Sequence, residues 1–185
     1  LVKSNIRLSE IQFSRRLKAV FLSNLNLKNK MNRPSFSIVV PIYGVEKYIR
    51  QCADTVLGQT YDKVQFVFVN DGTKDDSMQV LDNLIEEKYA HLKDRIVIVN
   101  KENEGLPAAR RTGVSHATGD YILHVDSDDW VETDMVEKIA AEAIRSGSDI
   151  ICFKIFKEEV DRQKIRGDRK YRIEQKSKFL RDIMD

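Results

Sequence analysis

The chain has 185 residues, enough for one domain with a real hydrophobic core and too few for two comfortable ones. Hydrophobic residues make up 42% and charged residues 32%, which excludes a disordered chain and, with no apolar run beyond strand length, a membrane span. The net charge of +2 is uneven: +7 on residues 1–33 and +3 on 157–185 leave −8 on 34–156, a balance that excludes a nucleic-acid-binding face and suits a divalent cation held between carboxylates.

Residues 1–33 stand apart from the rest. A helix is expected between Leu8 and Leu22, with Ser9 as its cap. Its apolar residues fall on two sides, Leu8, Ile11 and Leu22 on one and Phe13, Leu17, Val20 and Phe21 on the other, so it calls for two packing partners. Those are its own domain or a second copy in a homodimer; the sharper reading is a basic arm in peripheral contact with an anionic membrane. The opening residues lack a compact apolar core followed by a small-residue cleavage site, so no secretory signal is expected.

From residue 34 to 156 strand and helix patterns alternate. Ser37–Val40 is a β-branched strand stopped by Pro41, and Val45–Leu57 has helical spacing at Tyr48, Ile49, Cys52 and Val56. Val64–Val69 is a second strand, closed by Asn70-Asp71-Gly72. A helix is predicted over Asp75–Tyr89 with Thr73 or Asp75 as cap, then a strand over Arg95–Val99. Asn103–Ala117 reads as a helix that tolerates Pro107 in its first turn. Tyr121–Val125 is a fourth strand ending in Asp126-Ser127-Asp128-Asp129, followed by a helix from a Thr133 cap to Arg145 and a strand over Asp149–Phe156. Such alternation with short loops predicts a mainly parallel sheet covered by helices on both faces. Ligands of these sheets bind outside the carboxyl ends of the strands, where every candidate residue below lies. Cys52 and Cys152 sit in apolar patterns and are expected as buried, reduced thiols.

No glycine-rich G-x-G-x-x-G or Walker loop follows the first strand, so the phosphates of a nucleotide must be neutralised by something else, and a bound metal is the obvious candidate. Asp71 can accept hydrogen bonds from a base or ribose, although Asn-Asp-Gly is also an ordinary turn. Asp126-x-Asp128 with Asp129 crowds three carboxylates at a sheet edge, where they repel unless a cation or protons intervene. Arg110 and Arg111 can pair with a diphosphate or with those carboxylates. His124 is expected as a satisfied core histidine, and Trp130 as either the floor of a sugar site or a core anchor.

Taken in order, Ser37-Ile38-Val39-Val40-Pro41-Ile42-Tyr43, Val69-Asn70-Asp71-Gly72-Thr73, Asn103-Glu104-Gly105 with Ala108-Ala109-Arg110, Gly119-Asp120-Tyr121-Ile122 and Asp126-Ser127-Asp128-Asp129 resemble the family 2 glycosyltransferases. The resemblance covers residues 35–132. It implies the Rossmann-like GT-A fold, a three-layer α/β sandwich around a mainly parallel sheet, and an inverting, metal-dependent transfer of a sugar from a nucleotide-sugar donor. It also implies roles. Pro41 and Tyr43 line the nucleotide pocket with Glu46 nearby, Asp71 reads the base (usually uracil), Arg110 lies near base and ribose, Asp126 near the ribose, and Asp128 holds Mg²⁺ or Mn²⁺ on the diphosphate. The acceptor would be a carbohydrate or a lipid-linked molecule, in surface polysaccharide assembly, with the protein cytoplasmic or peripheral at the inner membrane face.

Gly44, where the family often has Asn, and Lys74-Asp75-Asp76, where Ser/Thr-Asp is more usual, depart from the pattern. The family's catalytic base lies well beyond Asp-x-Asp. Only 56 residues follow Asp129, so 157–185 is expected to be a charged segment that begins an incomplete acceptor region, and no base is named. A nucleotidyltransferase and a non-catalytic nucleotide-binding module remain the alternatives.

Overall fold

The computed structural model describes residues 33–152, together with the backbone of 157–159 and 162–164. The chain divides into two compact units, at 1–149 and 150–185. The expected N-terminal helix lies outside the described residues.

Four strands form the sheet of the first unit: β1 (Phe36–Ile42), β2 (Val64–Asn70), β3 (Ile96–Asn100) and β4 (Tyr121–His124). All pair in parallel, in the order β3-β2-β1-β4. The helices between them are α1 (Ile49–Leu57), α2 (Ser77–Lys88) and α3 (Leu106–His116), and α4 (Met135–Ser146) follows β4. A short 3₁₀ turn, Ala90–Arg95, leads into β3. The connections β1-α1-β2 and β2-α2-β3 step one way across the sheet, whereas β3-α3-β4 steps back past β2 and β1. Because such crossovers are right-handed, α3 lies on the face opposite α1 and α2. The expected three-layer, mainly parallel architecture is what forms.

The packing follows from the strand pattern. Val39, Val67 and Val69 point to one face and bury Ala109 of α3, with Val97 and Val99 against them. Ile38, Val40, Phe66 and Phe68 point to the other face and are fully or almost fully buried. All seven residues of β1 are buried, as a strand covered on both sides requires. The approach of α3 to β1 is so close that a Cβ on Gly113 would stand 2.2 Å from Val39 Cγ1. On α1, the buried residues Ile49, Cys52, Ala53, Val56 and Leu57 make one apolar stripe.

Several expectations are corrected in detail. Pro41 does not stop β1, which runs on to Ile42. The ladder to β4 has ended one rung earlier, at Val39 with His124 and the Val125 N–H on the Val39 carbonyl. Alternation turns the Pro41 nitrogen toward that vacated side, so its missing N–H breaks no bond within the ladder. Helix α1 begins at Ile49 because Val45–Tyr48 form a separate turn that accepts the Tyr48 and Ile49 N–H groups on the Val45 carbonyl. Thr133 does not cap α4; Asp134 precedes it, and the Thr133 carbonyl accepts the Thr60 N–H. Asp149–Cys152 form no strand, and 153–156 lie outside the described residues. Cys52 is buried as expected, but Cys152 is exposed, so only one of the two thiols is a core residue.

In the second unit Lys157–Glu159 (β5) and Arg162–Lys164 (β6) pair antiparallel. Among the described residues no helix is long and apolar enough to cross a membrane.

The contact at Gly113 sets a test. Gly113→Ala gains about 1 kcal/mol of helix propensity, but it forces a methyl group into the fully buried Val39, and overpacking of that kind costs about 1–3 kcal/mol. The urea midpoint should fall, and combining the change with Val39→Ala should recover part of the loss in a double-mutant cycle.

Candidate active site

The order β3-β2-β1-β4 places the switch of crossover direction between β1 and β4, and ligands of such sheets bind at the carboxyl ends on either side of it. Beside it stand the ends of β2 and β3. The structure brings the predicted residues to this edge in two groups.

The first group surrounds the acidic turn after β4. Asp126 is half-exposed and accepts a hydrogen bond from Arg110 Nη2 on Oδ1 at 2.5 Å. Its carbonyl accepts the Asp129 N–H at 3.0 Å and the Cys52 thiol at 3.6 Å. The turn is thus tied to α3 by a side chain and to α1 by its backbone. Ser127 is buried, whereas Asp128 and Asp129 are exposed. Partial burial, then the charges of Asp128 and Asp126, push the Asp129 carboxyl above the usual carboxylate range. Burial, and after it the three carboxylates, push the Cys52 thiol up to about 12, so it is an inert neighbour and no nucleophile. Arg110 Nε is buried with no hydrogen-bond partner among the described residues.

The second group surrounds Asp71, which is 3% exposed. Oδ1 accepts from Lys101 Nζ at 2.7 Å and from the Glu104 N–H at 3.2 Å; Oδ2 accepts from the Gly105 N–H at 2.9 Å. Gly105 adopts φ 85° and ψ 168°, a backbone region open essentially to glycine alone, and this turns its N–H to the carboxylate just before α3 begins. Burial pushes the Asp71 carboxyl up, but the Lys101 ammonium and the two backbone N–H groups outweigh it and hold the group below its ordinary range. Asp71 is therefore a clamp on the β3–α3 loop as well as a candidate ligand for a base.

Between the two groups lies a seam that the sequence reading missed. Asp75 Oδ1 accepts from the Thr73 and Ser77 hydroxyls, both at 2.6 Å, and from the Ser77 N–H; Oδ2 accepts from the Glu46 N–H at 3.0 Å. The same hydroxyls accept N–H groups from the loop after β1, Gly44 on Thr73 and Val45 on Ser77. Asp75 was expected only as a helix cap, yet it joins the β1 and β2 loops. Lys101 was not singled out at all. Its one signal was its place at the end of β3, on the edge where loops meet.

The remaining candidates are distributed as follows. Tyr43 and Glu46 are exposed on the β1 loop and Pro41 is buried at its root. Arg111 points to solvent while Arg110 faces the acidic turn. His124 is not a core residue: it is exposed at the end of β4, where partial burial and then Arg110 push its imidazole below the usual range. Trp130 is 47% exposed, which removes the core-anchor reading. Among the described residues no group of three or more His, Cys, Asp or Glu side chains is arranged to enclose a metal ion.

Comparison with known proteins decides the family. The sequence model described as glycosyl transferase family 2 matches residues 37–185. The chain belongs to this family. Relatives of this family 2 chain include glycosyltransferase GlyA of Streptococcus pneumoniae serotype 4, 39% identical over 62% of the chain, and EpsJ of Bacillus subtilis strain 168, 39% identical over 70%. The chondroitin synthase of Escherichia coli is 32% identical over 70% of the chain. The matched segments span 16%, 36% and 18% of those relatives, so the chain corresponds to a minor part of each. Among solved structures, S. aureus TarS in complex with UDP is similar with a TM-score of 0.53 and 30% identity, over 61% of this chain and 33% of that one. A complex of TarS with UDP-GlcNAc gives the same score at 29% identity.

The seam makes a prediction about acid. Burial pushes Asp75 up, but its four hydrogen bonds outweigh this and lower it from an ordinary 3.8 to about 2. A depressed carboxylate stabilises the fold above its unfolded value and loses that contribution as pH falls through the folded one. Wild type should therefore lose stability between pH 3.8 and about 2 in excess of any loss in Asp75→Asn, as read by urea unfolding at each pH. At neutral pH Asp75→Ala should cost about 2–3 kcal/mol, because it leaves four donors without their acceptor.

Proposed function

We propose that this chain carries the donor half of a glycosyltransferase that moves a sugar from a nucleotide-diphospho-sugar, a UDP-sugar by preference, to an acceptor hydroxyl. The observation that carries the reading is the acidic turn Asp126–Asp129 at the switch point, held to Arg110 on one side of the sheet and Cys52 on the other. The UDP and UDP-GlcNAc complexes of TarS support the choice of nucleotide.

The donor set fits a hard divalent cation. Asp128 and Asp129 are exposed oxygen ligands whose mutual repulsion is felt at Asp129, and the remaining ligands would come from diphosphate and water. Asp128 would hold Mg²⁺ or Mn²⁺, and such an ion, when bound, offsets the charge of the departing nucleoside diphosphate. Arg110 orients Asp126 toward the ribose through the bond from Nη2. Asp71 retains acceptor capacity on Oδ2 for the base. Tyr43 and Glu46 border the site from the β1 loop, with Pro41 at its root, and Trp130 is an exposed aromatic surface for a sugar ring.

The reaction is a single displacement. The acceptor oxygen forms a bond to the anomeric carbon as the bond to the diphosphate oxygen breaks, and the configuration inverts. The acceptor proton passes to a general base that is not assigned among the described residues. The acceptor is a carbohydrate or lipid-linked molecule, and the setting is surface polysaccharide synthesis at the cytoplasmic face of the membrane, with the basic N-terminal arm as the contact to lipid or to a second copy.

Isothermal titration of UDP with and without Mn²⁺ tests this reading. Binding that requires the metal is expected, with Asp128→Ala abolishing the metal dependence and any metal-dependent transfer. Asp71→Ala should weaken UDP by about 1–3 kcal/mol, the loss of one buried acceptor. Absence of binding in both conditions would overturn the donor reading. Metal-dependent binding without hydrolysis or transfer, in a longer chain that includes the acceptor region, would favour a non-catalytic module.

A further inference from the structure

We propose that Lys101 is a positioning residue for nucleotide recognition: its ammonium saturates Oδ1 of Asp71 and so leaves a single acceptor position, on Oδ2, for the N–H of a nucleobase. The inference rests on the donor reading above.

An ionised carboxylate offers about four acceptor positions. On Asp71, Oδ1 takes Lys101 Nζ and the Glu104 N–H, and Oδ2 takes only the Gly105 N–H. One position is left, and it lies on Oδ2. Lys101 has no donor to spare for a ligand. Its three N–H bonds go to Asp71 Oδ1 at 2.7 Å, Glu104 Oε2 at 2.9 Å and the Glu102 carbonyl at 2.5 Å. It acts through Asp71 and not by touching the nucleotide. The pair is shielded, with side chains 15% and 4% exposed, so the attraction is little screened by solvent.

A lone acceptor position selects for chemistry. The imide N–H of uracil donates to it, whereas cytosine presents an acceptor at the same ring position and is repelled by the carboxylate. The selection holds only while Asp71 stays ionised. The charged groups around it are Lys101 and, through Lys101, Glu104, both on the β3–α3 loop. From β1 the Ile42 carbonyl accepts its backbone N–H, and Arg110 of α3 is turned to Asp126. Burial acts to raise the carboxyl, and Lys101 is the first of the contacts that outweigh it. Without Lys101 two backbone N–H groups oppose burial alone, and Asp71 takes up a proton at higher pH.

The experiment is titration of UDP and CDP into the full chain across pH, with Lys101→Met and Lys101→Arg beside wild type. The ratio of variant to wild-type Kd cancels the ionisation of UDP itself. For Lys101→Met this ratio should rise by about tenfold between about pH 8 and about pH 5, and the preference for UDP over CDP should shrink with it. For Lys101→Arg the ratio should stay flat, because the charge is kept. Circular dichroism melts at each pH establish that the variants are folded, and Lys101→Gln takes the place of a methionine variant that is not. A flat ratio for the uncharged variant, or an equal slope for the arginine variant, overturns the inference and leaves the donor reading intact. A wild type that binds no UDP overturns both.

Discussion

A parallel sheet gathers all its carboxyl ends on one edge, and the loops that leave that edge carry backbone N–H groups no strand can satisfy. This chain has no glycine-rich cradle there, and it meets the demand with side chains. Asp71 accepts the N–H groups of Glu104 and Gly105, Asp75 those of Glu46 and Ser77, Asn70 that of Thr73. Thr73 and Ser77 then accept those of Gly44 and Val45. The loops after β1, β2 and β3 are in this way held by one buried and one half-buried carboxylate and their hydroxyl neighbours. The rest of the site is placed against this frame.

The same edge concentrates negative charge, and the two groups of carboxylates are treated differently. Asp71 and Asp75 are given enough donors to lie below the ordinary carboxylate range. The acidic turn is not. Among the described residues only Asp126 of that turn has a basic partner, and Asp129 is pushed up by partial burial and then by its neighbours. Carboxylates that are already satisfied shape the loops, whereas those of the acidic turn keep their mutual repulsion.

Much of the fold was legible in the sequence. Runs such as Val64–Val69 and Ile96–Val99 have one reading, and their alternation with helical spacing dictates a covered parallel sheet. The positions of Asp71 and Asp126 at its edge follow from strand ends alone. What was not legible is relational. Asp75 and Lys101 act on residues about thirty positions away, and no local pattern records such a partner. Burial was misjudged at His124 and Cys152 for a related reason, since apolar neighbours in sequence do not say which face a later element covers. Helix starts moved by several residues because Val45–Tyr48 and the residues after Gly72 satisfy their backbone groups in turns of their own.

Pro41 has a mechanical consequence. Beyond Val39 the ladder to β4 offers no further rung, because the next residue on that side of β1 has no hydrogen to give. The segment from Asp126 onward is therefore held by helices instead of by a strand: by Arg110 of α3 and the Cys52 thiol, by Thr55 Oγ1, which accepts the Val131 N–H, by the Gln59 amide, which bonds Glu132 and Val136, and by the Thr60 N–H on the Thr133 carbonyl. A platform built by strand pairing thus ends in a lip held by helices, and an imino acid with no hydrogen to give marks where one gives way to the other.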